Sequence, residues 1–261
     1  MGGLMSLGVI TTLFCHEPAI DIAAQNEQQA ERKAQLIARG WSSSLAGLGA
    51  WTYEAIWCPF ADFFRRYGTS ALQILGLIAC YRISDVVMGV MSNSFYVDLQ
   101  FSKTEVATIT KVYGVIMTLV GAALGGVLVM RFGTLRILFL GAVLTASTNL
   151  LFALLNEVGH DLELLTIIIS LDNLSAGIAT AAFVTYLSSL TNVAFSATQY
   201  ALFSSIMLLL PKLLAGFSGQ VVELVGYSRF FIGTSLLGVP VMILIIIVAK
   251  RNSGLSPQTS K

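Results

Sequence analysis

Long apolar stretches dominate this chain, and the polar residues between them fall at spacings that mark helix starts and tight turns. A helix that crosses the hydrocarbon of a bilayer needs about 20 mainly apolar residues, and six segments reach that length. They run from about Ala71 to Val97, Glu105 to Met130, Leu135 to Leu155, Leu162 to Leu190, Thr198 to Leu224 and Phe230 to Ala249. Short connections between them predict antiparallel neighbours. The second segment is introduced by S-K-T-E, Ser102 to Glu105, the spacing of a capping box. The pattern predicts an all-α membrane protein: a six-transmembrane-helix bundle over residues 70–250, with a cytoplasmic tail at 251–261.

Residues 1–15 are apolar but too short to span, and read as the tail of a truncated transmembrane helix. The opening M-G-G-L-M-S has no positive n-region, so no secretory signal is expected. Residues 16–69 form a polar linker in which A-A-Q-N-E-Q-Q-A-E-R-K-A-Q-L-I-A-R is rich in good helix formers. Near its end, P-F-A-D-F-F-R-R-Y predicts a short amphipathic helix, with Phe60, Phe63 and Phe64 dipping into the membrane interface and Arg65 and Arg66 meeting lipid headgroups.

Basic loop residues set the orientation. Arg32, Lys33, Arg39, Arg65, Arg66, Arg131, Arg136, Lys250, Arg251 and Lys261 fall on one side, whereas the opposite loops hold Lys103 and Arg229 among Asp98, Glu157, Asp161 and Glu163. The linker and the C-terminus are therefore expected in the cytoplasm.

Composition narrows the function. Of 261 residues, 56% are hydrophobic and only 11% charged, with a net charge of +1; a soluble domain carries roughly 25% charged residues. No basic stripe is available for a phosphate backbone, so nucleic acid is not a partner. Cys15, Cys58 and Cys80 form no C-x-x-C pair and suggest neither a disulfide framework nor zinc. His16 and His160 build no H-E-x-x-H, and neither a phosphate-binding G-x-x-x-x-G-K-[ST] loop nor a G-x-S-x-G elbow occurs. Neither catalysis nor a cofactor is expected.

The informative residues are charges inside the apolar segments. One charge at mid-bilayer costs about 2.5 to 3.5 kcal/mol on insertion scales, so such groups face a protein interior or a watery cavity. Arg82 and Asp85 lie three apart in Y-R-I-S-D, on one helical face. Asp172 and Asn173 occur in S-L-D-N-L-S-A-G, about ten residues into the fourth segment and near the midplane. Lys212 follows Pro211, which frees a backbone carbonyl and can bend the fifth segment. Lys111 sits near the outer end of its segment and can snorkel to water. These groups are expected to converge on a central cavity that binds a polar, anionic substrate and relays protons. The structural alternative is buried ion pairs that only lock helices together. Gly121 and Gly125, four apart in G-A-A-L-G-G, predict a close helix crossing.

After the second segment, G-V-L-V-M-R-F-G-T-L-R, Gly126 to Arg136, resembles the loop motif G-x-x-x-D-R-x-G-R-[RK] of the major facilitator superfamily, with Met130 in place of the aspartate and Thr134 in place of the arginine. From Leu72 onward the chain resembles the AmpG-like muropeptide permeases of that superfamily, through Y-R-I-S-D, the Lys111 region, L-D-N-L-S-A-G-I-A-T-A-A-F-V, the stretch from Pro211 to Gly219 and, most distinctively, N-V-A-F-S-A-T-Q-Y-A-L. The last block carries Gln199, which joins Arg82, Asp85, Lys111, Asp172, Asn173 and Lys212 as a candidate substrate or proton pathway residue. The resemblance implies a bundle equivalent to the C-terminal half of a twelve-span transporter, with the substrate site between halves. It further implies proton-driven uptake of anhydro-muropeptides across the bacterial inner membrane in peptidoglycan recycling. Its partners would be lipid, a glycopeptide or other polar small molecule, protons and a separate N-terminal half. A fragment, a split-gene subunit, a decayed non-transporting copy, or a carrier of another metabolite such as acyl-coenzyme A are the alternatives.

Overall fold

The computed structural model describes residues 30, 31, 33–38, 40, 42–192 and 195–254. The expected helix tail at 1–15 and the chain beyond Gly254 lie outside them. Contacts divide the chain at Pro59 into two units, with 192–195 grouped with the first. In the first unit, 33–38 is helical and largely exposed, as the run of helix formers predicts. Helix α1, Ser43–Thr52, follows, with Ser42 capping the Leu45 amide at 3.4 Å.

The second unit is the bundle. Helix α2, Cys58–Tyr67, leads into it, and among the described residues six helical stretches are long and apolar enough to cross a membrane: Ser70–Asp98, Lys103–Phe132, Thr134–Val158, Leu162–Leu190, Ser196–Val225 and Tyr227–Arg251. These six spans confirm the all-α membrane bundle expected from the pattern. The turns between them are short, and Gly133 (φ 87°), Gly159 (φ 89°) and Gly226 (φ 80°) supply the left-handed backbone at three of them. The capping box forms as expected: Ser102 Oγ accepts from the Glu105 amide at 3.2 Å while Glu105 accepts from the Ser102 amide at 2.8 Å.

Three spans are interrupted. The first divides into α3, Ser70–Cys80, and α4, Ile83–Asp98: Tyr81 still donates its amide to the Leu77 carbonyl at 2.9 Å, and the backbone leaves helical geometry at Arg82. The fifth divides into α9, Ser196–Ala215, and α10, Ser218–Val225, so its break lies at Gly216 and Phe217 and not at Pro211, through which the helix runs. The sixth divides into α11, Tyr227–Leu236, and α12, Gly238–Gly254. The second span opens with α5, Lys103–Thr108, widens into a π-helical turn at Ile109–Gly114, and continues as α6, Val115–Phe132. Helix α7 is Thr134–Val158 and α8 is Leu162–Leu190.

Small residues set the tightest crossing, between α6 and α8. A β-carbon on Gly121 would run into the Leu174 carbonyl, and one on Gly177 into the Thr118 carbonyl; at Gly125 it would sit 2.9 Å from the Ile178 α-carbon. The expected four-residue glycine spacing is therefore a backbone contact.

Two apolar clusters fill the bundle. One gathers Leu77, Tyr81, Leu138, Phe183, Phe203 and Ile245, and the other Phe95, Phe152, Leu165, Ile168 and Phe231. Along spans one, three, four and six the clusters are separated by the same interval of polar residues, which forms a belt across the bundle.

The amphipathic helix departs from expectation. Phe63 is only 2% exposed and packs on Phe203, with ring centroids 5.1 Å apart, so it enters the protein core and not the membrane interface. Arg66 likewise bonds protein: Asp62 at 2.9 Å, the Leu190 carbonyl at 3.1 Å and Gln199 at 3.1 Å. A helix C-terminus with unpaired carbonyls attracts such a guanidinium more than a solvated headgroup does. Arg65 and Phe64 remain exposed.

Candidate functional site: a polar belt at a broken helix

The belt begins where the first span breaks. Tyr81 is stacked on Phe183 at 4.5 Å and donates its hydroxyl to the Leu138 carbonyl at 3.1 Å, which fixes the end of α3 against spans three and four. Arg82 follows with φ −94° and ψ 4°, outside helical geometry, and α4 starts afresh at Ile83. The break exposes free amides at the start of α4, where negative charge is favoured. Asp85 occupies that first turn.

The guanidinium of Arg82 bonds Asp85 at 2.5 Å and Thr180 of α8 at 3.1 Å. Both members of the pair are about a quarter exposed, at 26% and 24%. The pairing expected from the three-residue spacing is thus present, and it sits at a helix interruption. The Nε of Arg82 is buried without a partner, beside a cavity of about 20 Å³ lined by Arg82, Ser84, Asp85 and Thr145 among others. That volume holds about one water.

Asp172 enters the belt from α8. Thr148 of α7 places its hydroxyl 2.9 Å from Asp172 Oδ1 and 3.0 Å from the Thr145 carbonyl. Thr145 also lines the small cavity at the ion pair. One turn of the third span therefore reaches from the surroundings of Asp85 to Asp172. Beside it, Asn149 is fully buried and donates to Ser84 Oγ at 2.8 Å and Thr234 Oγ1 at 3.3 Å, while Ser84 donates to the Thr234 carbonyl at 2.7 Å. This net holds α4 and α11 together at their interrupted ends.

The expected convergence on one cavity is partial. Asn173 serves a helix crossing: its Oδ1 accepts from Thr118 at 3.0 Å, its amide donates to the Ile169 carbonyl at 2.8 Å, and it packs at Gly114. Gln199 is fully buried at the far end of the bundle, donating to Asp62 at 3.2 Å and accepting from Arg66. Lys212 is exposed on a face of α9 beside Ser205, Leu209 and Leu213, and Lys111 is exposed in a separate groove. Of the candidate residues expected from the sequence, Arg82, Asp85 and Asp172 share the belt among the described residues.

Sequence reading overlooked Ser84, Thr145, Thr148, Asn149, Thr180 and Thr234. The usable signal was T-A-S-T-N, Thr145 to Asn149, a polar run in the middle of an apolar span. Carrying no charge, it costs less to insert and stands out less from the apolar span.

No protein-family model matches the chain. It is 33% identical over 208 residues to a Rickettsia felis protein named "Putative transporter AmpG 4", covering 80% of this chain and 50% of that one. It is 32% identical over 195 residues to the anhydromuropeptide permease of Escherichia coli K12, covering 74% and 39% respectively. An uncharacterized protein of Haemophilus influenzae is 29% identical over 254 residues, 94% of this chain and 54% of the relative. The chain thus spans about half the length of the curated relatives it matches. With its six-span bundle, the chain is a homologue of the AmpG-named transporters and corresponds to about half of such a protein.

Proposed function

We propose that this chain forms one wall of a proton-coupled permease that carries anhydromuropeptides from periplasm to cytoplasm through the bacterial inner membrane, equivalent to the C-terminal half of a major facilitator transporter. The observation that carries the reading is the Arg82–Asp85 pair at a helix interruption, with Asp172 linked to its surroundings through the third span. A partly exposed ion pair at an interrupted membrane helix can open and re-form as a ligand or proton arrives, which an uninterrupted apolar helix cannot. In this reading Asp85 and Asp172 take the proton or a substrate amine. Arg82 meets a substrate carboxylate, and Lys212 meets another from the wall facing the other half. The linker and C-terminus are cytoplasmic, following the basic loops.

The name of the Escherichia coli relative supports the cargo. Uptake of labelled anhydromuropeptide, in cells lacking their own permease and supplied with this chain plus a complementary six-span half, tests it. Uptake that is competed by unlabelled muropeptide but not by acyl-coenzyme A is expected; the reverse competition would replace the cargo, and no uptake with any half would leave a structural subunit.

That second reading has its own support, because Arg82, Asp85 and Asp172 all have protein partners. It assigns the belt to holding helices together, and the paired replacement described in the Discussion separates the two.

A further inference from the structure

A groove of about 340 Å³ lies where the first two spans join, lined by Asn93, Tyr96 and Phe101 before and at the turn and by Lys103, Thr110 and Lys111 after it. Its volume is in the range of small-molecule sites. Lys103 and Lys111 share one face of the second span at the i, i+8 spacing, so about 12 Å of helical rise separates their backbones. Lys111 falls in the π-helical turn Ile109–Gly114, the kind of wide turn that recurs at functional sites.

Among the described residues neither ammonium has a carboxylate within ion-pair distance. The nearby acid in sequence, Glu105, is committed to the Ser102 amide at 2.8 Å. Asn93 is exposed, and the Thr110 hydroxyl donates to the Val106 carbonyl at 2.7 Å while its lone pairs stay free to accept. The floor is firm, since Phe101 is buried and stacked on His160 at 4.3 Å. Two cations without carboxylate partners share the groove's lining with the Asn93 amide and the Thr110 hydroxyl, a set that suits a ligand carrying two anionic groups and peptide-like polar groups.

We propose that this groove is an outer binding site for a short peptide bearing two carboxylates, with Lys103 taking one and Lys111 the other. The peptide identity of the ligand rests on the permease reading above; the dianion chemistry rests on the groove alone.

The test uses the full chain in nanodiscs of phosphatidylcholine, with its lysines reductively ¹³C-methylated so that each ammonium keeps its charge and reports by NMR. The probe is the dipeptide Ala-Glu, with its diamide as control. Expected is a saturable, concerted shift of the Lys103 and Lys111 signals with Ala-Glu only, an unmoved Lys212 signal, and affinity lowered about tenfold in Lys103→Gln through loss of one charge contact. The proposal is overturned if neither lysine responds to Ala-Glu, or if both respond only when phosphatidylglycerol is added to the bilayer, which would make the groove a lipid headgroup site. Binding is read without transport, so a chain that binds but supports no uptake refutes the permease reading alone, and uptake without these shifts refutes the groove alone.

Discussion

Arg82 and Asp85 join across the start of a new helix: the guanidinium lies outside the helical ladder, and the carboxylate 2.5 Å away sits in the first turn of α4. The pair therefore depends on the interruption as much as on the three-residue spacing. Removing one partner strands the other, at a cost of about 3 kcal/mol for a mostly buried pair. Asp85→Asn should lower the unfolding midpoint in detergent, whereas Arg82→Met combined with Asp85→Leu should recover most of it. Uptake should stay lost in the double variant. Recovery of uptake together with stability would give the pair to the structural reading.

Thr148 offers a finer probe, because its hydroxyl touches the Asp172 carboxylate without carrying charge. Thr148→Val keeps the shape and removes the hydroxyl, with a stability loss of about 1 to 3 kcal/mol for leaving a buried polar group without its partner. Thr148→Ser should restore both stability and uptake. A Ser variant as defective as Val would mean that packing of the methyl group, not the hydroxyl, is what matters.

The glycines of the α6–α8 crossing separate packing from function. Gly121→Ala forces a β-carbon against the Leu174 carbonyl, and overpacking of this kind costs about 1 to 3 kcal/mol. Gly126→Ala has open space around its new methyl and should be close to neutral. Equal unfolding midpoints for the two variants would contradict the crossing.

At the other end of the bundle, Arg66 ties α2 to the Leu190 carbonyl and to Gln199. Arg66→Ala should raise hydrogen exchange at the amides of residues 60–67 by about tenfold or more, since partly buried charged hydrogen bonds contribute about 1.5 to 3 kcal/mol. Exchange unchanged from the parent would show that Phe63 alone holds the helix in place.

The spans were legible because membrane hydrocarbon demands long apolar runs, and their ends fell within a few residues of those expected. The Arg82–Asp85 pair and the Gly121 contact were legible because both follow from helical spacing. The helix break at Tyr81 and Arg82 was not, since C-Y-R-I-S-D contains neither glycine nor proline. It coincides with side-chain bonds to partners distant in sequence: Leu138 for Tyr81, Thr180 for Arg82 and Thr234 for Ser84. The block N-V-A-F-S-A-T-Q-Y-A-L marks Gln199 as a candidate pathway residue, and the structure engages its amide with Asp62 and Arg66. A sequence pattern can mark such a residue without saying which end of the bundle it serves.

In the proposed permease Asp172 and Asp85 are the working acids. Proton-driven uptake of labelled anhydromuropeptide, measured in cells supplied with the complementary half, is the most direct test. Asp172→Asn and Asp85→Asn should each reduce the uptake rate about a hundredfold, as loss of a proton-transferring group does, while the protein still reaches the membrane in normal amount. Uptake at the parental rate in either variant would contradict the role assigned to that acid.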